Sequence, residues 1–60
     1  MFKVNDYVQI VNHSEPKCNG QYGHITHVDV AYNGRTLYYA VTLDDSFDVC
    51  SCIEDELMEA

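Results

Sequence analysis

Between Arg35 and Leu43 the chain alternates without a fault, with Leu37, Tyr39, Val41 and Leu43 on one side and Tyr38, Ala40 and Thr42 on the other. Successive side chains of an extended backbone point to opposite faces, so a period of two marks a half-buried strand. The same period runs through most of the sequence and is broken by turn formers about every ten positions, which predicts a small all-β barrel or sandwich. Sixty residues allow one domain. A chain of this size buries only roughly 60% of the surface that its unfolded form exposes. Its core supplies no more than about 3–5 kcal/mol, which leaves little to hold a strained catalytic pocket and argues against an enzyme.

Strands are predicted over about 6–11, 22–32, 35–43 and 47–53, in an all-β barrel of about five short antiparallel strands closed by an acidic terminal turn over 54–60. In the first, Val8 and Ile10 face one side and Tyr7 and Gln9 the other. Asn12 to Gln21 is rich in turn formers and holds the only proline, so it is expected to be a long surface loop. Along 22–32 the alternation slips, because Ile25 lies on one phase and Val28 and Val30 on the other; a bulge near Thr26-His27 reconciles them. Asn33-Gly34 is a hairpin signal of the type I′ kind, which needs positive φ at both residues. After a turn at Asp44-Asp45-Ser46, continued alternation places Phe47, Val49 and Ile53 inward and Asp48, Cys50 and Cys52 outward. Glu54 to Met58 suits a helical or 3₁₀ turn, with Leu57 plugging the open end of the barrel.

Strand, long loop, long bent hairpin, short strand and terminal turn is the element order of an SH3-like barrel. Asp6-Tyr7-Val8-Gln9-Ile10, followed across the loop by Gly20-Gln21-Tyr22-Gly23-His24-Ile25, resembles a KOW-type segment of that superfold. In such proteins the paired glycines let the chain turn tightly into the second strand. The resemblance implies a module associated with RNA or the ribosome, working through Lys3, Lys17, Arg35, His13 and the tyrosines. Three cations are few for binding dominated by phosphate contacts, which argues against direct binding of nucleic acid.

The charge is one-sided. From Met1 to Leu43 the three basic residues balance Asp6, Glu15 and Asp29, whereas the rest of the chain carries Asp44, Asp45, Asp48, Glu54, Asp55, Glu56 and Glu59 with no Lys or Arg, for a net charge of −7. A surface of one sign attracts cationic partners and repels nucleic acid. These seven acids are therefore the candidate partner-binding residues, presented to a basic protein surface. The plain alternative is that they keep a small β protein soluble and stop its edge strands from pairing with copies of itself. Tyr7, Tyr22 and Tyr38, on outer faces, form with His13 and Lys17 an alternative binding face able to stack bases or grip a proline-rich peptide. Tyrosines on paired strands also commonly pack across from one another with their hydroxyls in water.

Three cysteines cannot all pair within one chain, and Cys50 and Cys52 are too close along a strand to bridge each other, so free thiols are expected. With no signal-peptide pattern and no apolar run near membrane-spanning length, this predicts a soluble protein of the reducing cytoplasm, of a host cell or within a virion, and no membrane partner. His24, His27, Cys50 and Cys52 have the donor types of a zinc site. Their spacing is unlike the C-x₂₋₄-C knuckle, and the histidines face one side only if the bulge brings them together, so no metal or other cofactor is expected. No segment sets a thiol in an electropositive site that would activate it, and no Gly-rich phosphate loop is present, so no catalytic residue is expected.

The expected function is a non-catalytic binding module with an acidic face, monomeric or weakly dimeric through an edge strand. In this it is similar to small acidic proteins of phages and other mobile elements, including nucleic-acid mimics and nuclease inhibitors. The alternatives are the KOW-like RNA module and a metal- or redox-responsive domain built on Cys50 and Cys52.

Overall fold

The slip in alternation along the second strand is where the sheet bends. In the computed structural model, which describes all of residues 1–60, the pairing runs Ile25 to Val41 and then His27 to Ala40, with the register shifting between Ile25 and His27. The extra residue turns Ile25 and Val28 to the same inner side: Ile25 is fully buried and Val28 packs against the core. The Thr26 hydroxyl stays on the outer face, beside the Thr42 hydroxyl at 3.2 Å.

Around this bulge the chain forms β1 (Tyr7–Ile10), β2 (Tyr22–Val30), β3 (Leu37–Leu43), β4 (Val49–Cys52) and β5 (Leu57–Glu59), with a 3₁₀ turn at Glu54–Glu56. All five strands are antiparallel to their neighbours in one sheet of order β4-β3-β2-β1-β5. The all-β class, the five short strands and the terminal helical turn are thus as the alternation predicts. The turn is shorter than expected, because Leu57 and Met58 leave it to pair with Ile10 and Gln9 as the start of β5. Leu57 is buried in the core as it does so.

The inner face collects Val8, Ile10, Ile25, Tyr39, Val41, Leu43 and Leu57 with all three cysteines. Gly23 sits in β2 where its Cα lies against the Thr42 carbonyl, and a Cβ there would collide with it. Gly20 ends the β1–β2 loop at φ +85°, a conformation that favours glycine.

Two turns differ from expectation. At Asn33-Gly34 only Gly34 has positive φ, so the turn is not type I′. The Gly34 amide donates to the Ala31 carbonyl at 2.8 Å, and the Asn33 carboxamide oxygen accepts from the amides of Arg35 and Thr36 at 2.8 and 3.2 Å. That side chain closes a wider loop.

The β3–β4 connection runs from Asp44 to Asp48 and shifts the pairing by one residue from that expected of the turn Asp44-Asp45-Ser46, because Phe47 joins the turn at φ +60° and donates its amide to the Leu43 carbonyl. One added loop residue reverses the phase of everything after it. Phe47 and Val49 accordingly point outward, 78% and 63% exposed, and Ile53 is only half-buried. Cys50 and Cys52 turn inward, opposite Val41 and Tyr39.

The inward turn overturns the expectation of three free thiols. Cys18 reaches down from the loop and forms a disulfide with Cys50 across 32 positions of sequence, leaving Cys52 as the free thiol. β4 and β5 do not pair, so no ladder closes the barrel. The β1–β2 loop bridges the gap: beside the disulfide, His13 Nε2 donates to the Ser51 carbonyl at 3.0 Å and the Val11 amide donates to the Glu56 carbonyl at 2.7 Å. No helix is long and apolar enough to cross a membrane.

On the chain-entropy account, closing a ring of this length is worth about 3.5–4 kcal/mol. That equals the whole contribution of a core this small. Reduction of the disulfide, or Cys18→Ser, is expected to lower unfolding free energy by about 3–4 kcal/mol in metal-free buffer, read from urea denaturation. A loss under 1 kcal/mol would show that the loop is held by its hydrogen bonds alone.

Candidate functional site

The outer face of the sheet is built from the positions that alternate with the core. One row crosses it from Val49 on β4 through Thr42 and His24 to Tyr7 on β1. The neighbouring row carries Met58, Gln9 and Tyr22. The Tyr7 and Tyr22 rings stack with centroids 6.1 Å apart and planes 20° from parallel, each ring about half exposed. Diagonal neighbours on adjacent strands are within reach of each other for side chains of this size.

The β3–β4 turn folds against this stack. The Asp44 amide donates to the Tyr22 carbonyl at 3.1 Å, and the Tyr7 hydroxyl donates to Asp44 Oδ2 at 2.6 Å. That bond to a carboxylate, made only by the neutral phenol, raises the Tyr7 pKa above its ordinary 10.0. Asp45, Phe47 and Asp48 lie exposed in the same connection. A bulky residue in the left-handed region costs roughly 1–2 kcal/mol. Phe47 takes this conformation while 78% exposed, so burial of its ring does not offset the strain.

The remaining acids lie elsewhere. Glu54 accepts from the Tyr39 hydroxyl at 2.8 Å and pairs with the N-terminal amine at 3.2 Å, and the first of these bonds holds its carboxyl below the ordinary 4.5. Glu54 and Asp55 also border a shallow depression with Arg35. Glu56 turns back to accept the Ile53 amide at 2.9 Å. Glu59 lies on β5 opposite Val8. The seven acids are therefore not one face: Asp44, Asp45 and Asp48 belong to the β3–β4 connection, where Asp44 is bonded to the tyrosine stack, and Glu54 and Glu56 are engaged in structural bonds.

The alternative binding face divides as well. Tyr7 and Tyr22 come together, whereas Tyr38 pairs with Asp29 far along the hairpin, about 13 Å from Thr42 at the usual rise per residue. His13 is half-buried with its ring between the Glu15 amide, which donates to Nδ1 at 3.0 Å, and the Ser51 carbonyl. Lys17 is exposed in the loop.

The zinc candidates drawn from sequence do not assemble. His24 and His27 lie on the outer face, opposite Thr42 and Ala40, while Cys50 and Cys52 lie inside and Cys50 is spent in the disulfide. The inner face instead brings ligand atoms of His13, Cys52 and Glu56 within 4.8 Å of one another. Burial, with the Glu56 charge adding to it, pushes the Cys52 thiol up to about 11. This thiol is an unreactive one as it stands, and burial is the larger reason.

Two features of the site escaped the sequence reading: the exposure of Phe47 and the Cys18–Cys50 pairing. Both hang on the single residue added to the β3–β4 loop. Comparisons with known protein families, with curated proteins and with solved structures find no match.

Because its neutral phenol is favoured in the folded state, Tyr7 contributes stability below pH 10 that is lost as pH rises through its raised folded pKa. Asp44→Asn is expected to return the Tyr7 ionisation towards its ordinary value, and Tyr7→Phe to flatten the alkaline fall in stability. Phenolate absorbance and urea midpoints followed through the alkaline range test both. Identical titration curves for the parent and Asp44→Asn would remove the bond as a determinant.

Proposed function

We propose that this chain is a non-catalytic binding module that engages a basic protein surface through the outer face of its sheet. Tyr7, Tyr22, Phe47 and Val49 supply the apolar contact, and Asp44, Asp45 and Asp48 the charge. The observation that carries this reading is the stacked tyrosine pair tied to the acidic turn by the bond from Tyr7 to Asp44. Aromatic faces attract Lys and Arg side chains, by about 0.5–2 kcal/mol each, and carboxylates beside them hold the same cations. Exposed aromatics that are already ordered lose little entropy on binding, which is why they recur as the energetic centres of interfaces. Glu54, Asp55, Glu56 and Glu59 act in this reading as a field that steers the partner and not as contacts.

A partner that normally holds a polyanion fits this chemistry, as a nucleic-acid-binding protein does. Direct RNA binding is the weaker reading: Lys3 precedes β1, Lys17 lies in the β1–β2 loop and Arg35 in the β2–β3 turn, so no element carries two cations. The SH3-like reading draws support from the strand order, the long first loop and the 3₁₀ turn before the last strand, although the sheet stays open between β4 and β5.

Titration with a Lys/Arg-rich peptide at low and at high salt tests the proposal, with lysate pull-down to identify the natural partner. Affinity is expected to fall at least about tenfold between 50 mM and 500 mM salt, since exposed charges are screened over a shrinking Debye length. Tyr22→Ala and the triple change Asp44→Asn, Asp45→Asn, Asp48→Asn should each abolish binding, while Glu54→Gln with Asp55→Asn leaves most of it. Phe47→Gly should weaken binding yet raise stability by about 0.5–1 kcal/mol, from relief of the left-handed strain less the glycine entropy cost. Equal binding by the triple variant would discard the acidic turn as the working surface.

A further inference from the structure

We propose that the reduced protein binds one zinc ion through His13, Cys18, Cys50 and Cys52, so that metal and disulfide are alternative ties between the β1–β2 loop and β4. The four residues lie on the loop and the strand that the disulfide joins. Cys18 and Cys50 are bonded to each other. Cys50 and Cys52 project from the same side of β4, about 7 Å apart along the strand. The His13 ring is anchored on the Ser51 carbonyl between those two cysteines, and one of its nitrogens lies within 4.8 Å of Cys52 Sγ.

Donor chemistry selects the ion. Thiolate and imidazole are the donors of structural zinc, and in a tetrahedral site with zinc–sulfur bonds of 2.3 Å the sulfurs stand about 3.8 Å apart. Cys50 and Cys52 share a face of β4, so rotation of their side chains acts to close the strand spacing towards that distance. Glu56 is also near, but its carboxylate already holds the Ile53 amide and so positions the 3₁₀ turn. Three thiolates and an imidazole therefore form the set.

The ordinary account of Cys52 is a small hydrophobe in a core. It leaves unexplained why the third cysteine lies beside the other two with a histidine against it. Its sulfur has only the Cys50 carbonyl at 3.9 Å as a hydrogen-bond partner. In the oxidised form both His13 nitrogens are taken by backbone groups, the Glu15 amide and the Ser51 carbonyl. Ligation must release one of them, which requires the loop to shift, and opening the disulfide permits that shift.

The exchange balances with a dithiol as reductant. It gives two electrons and two protons to the Cys18–Cys50 bond and becomes a disulfide itself, leaving two thiols on the protein. Zinc then displaces the protons of Cys18, Cys50 and Cys52 to solvent, while His13 ligates as the neutral imidazole. In a reducing compartment the metal takes over the cross-link that a core this small needs.

The test is cobalt(II) titration of the full chain, reduced by a dithiol without oxygen, then zinc displacement. One equivalent of cobalt should give thiolate-to-metal charge-transfer absorption and the intense visible bands of tetrahedral coordination, bleached by zinc. Chelator should lower the thermal midpoint of the reduced, zinc-loaded protein and leave that of the oxidised protein unchanged. His13→Ala and Cys52→Ser, first shown to fold by circular dichroism in the oxidised form, should each weaken cobalt binding on the order of 100-fold or more. Glu56→Gln should change it by less than about threefold. The proposal fails if the reduced parent shows no saturable cobalt spectrum. It fails equally if the double variant Cys18→Ser, Cys50→Ser binds as tightly as the parent, because the ligands would then be His13, Cys52 and Glu56.

Discussion

Tyr39 is the residue on which the rest of the molecule is assembled. It leaves β3 at the middle of the inner face and is wholly buried, with Cys52 directly opposite on β4 and the Phe2 ring edge-on at 5.8 Å. Its hydroxyl reaches through to Glu54 and so fixes the start of the 3₁₀ turn. One side chain thereby joins the N-terminal segment, the central hairpin and the turn that leads into β5. A buried phenol needs a partner for its hydroxyl, and Glu54 at the rim supplies a charged one while remaining partly in water. Burial, with the bond to Glu54 adding to it, raises the Tyr39 pKa above 10.0, so the phenol keeps its proton, and the bond, past the pH at which a free tyrosine ionises.

The sheet was legible in the sequence wherever alternation was unbroken or broken by a detectable bulge. β3 follows its apolar stripe residue for residue, and the offset of Ile25 from Val28 locates the bulge in β2. Beyond Leu43 the reading failed for a local reason. Nothing in Asp44-Asp45-Ser46-Phe47 announces that an aromatic residue will take a left-handed backbone, so alternation alone gives a turn one residue short and the opposite phase for β4. That phase puts Cys50 and Cys52 on the outer face, out of reach of Cys18, whereas the structure turns them inward. The tyrosine stack was half legible: outer-face parity selected Tyr7 and Tyr22, but only the register of β1 on β2 separates them from Tyr38.

The charge asymmetry of the sequence becomes a division of labour in space. Glu54 and Glu56 are held by backbone or side-chain donors close to the core, where they order the route from β4 into β5. Asp45 and Asp48 are exposed on a strained turn, and Asp44 joins that turn to the tyrosine rings. The inner and outer faces thus carry different chemistry on the same strands: the cysteines and Tyr39 lie beneath, and the stacked tyrosines with His24 and His27 lie above. β4 serves both, presenting Val49 outward and Cys50 and Cys52 inward.

The cross-link between Cys18 and Cys50 also sets how far this chain can be drawn out. All of β2 and β3 lies inside the ring that it closes. Fully extended, an unbridged chain of this length reaches about 200 Å. With the ring intact the contour from end to end is only about 100 Å, because tension bypasses the enclosed hairpin through a Cα–Cα span of 6.2 Å. Pulled by its ends, the oxidised molecule would yield β1, β5 and the end of β4 beyond Cys50 and keep β2 and β3 unloaded, so in metal-free solution its mechanical length is a direct record of its redox state.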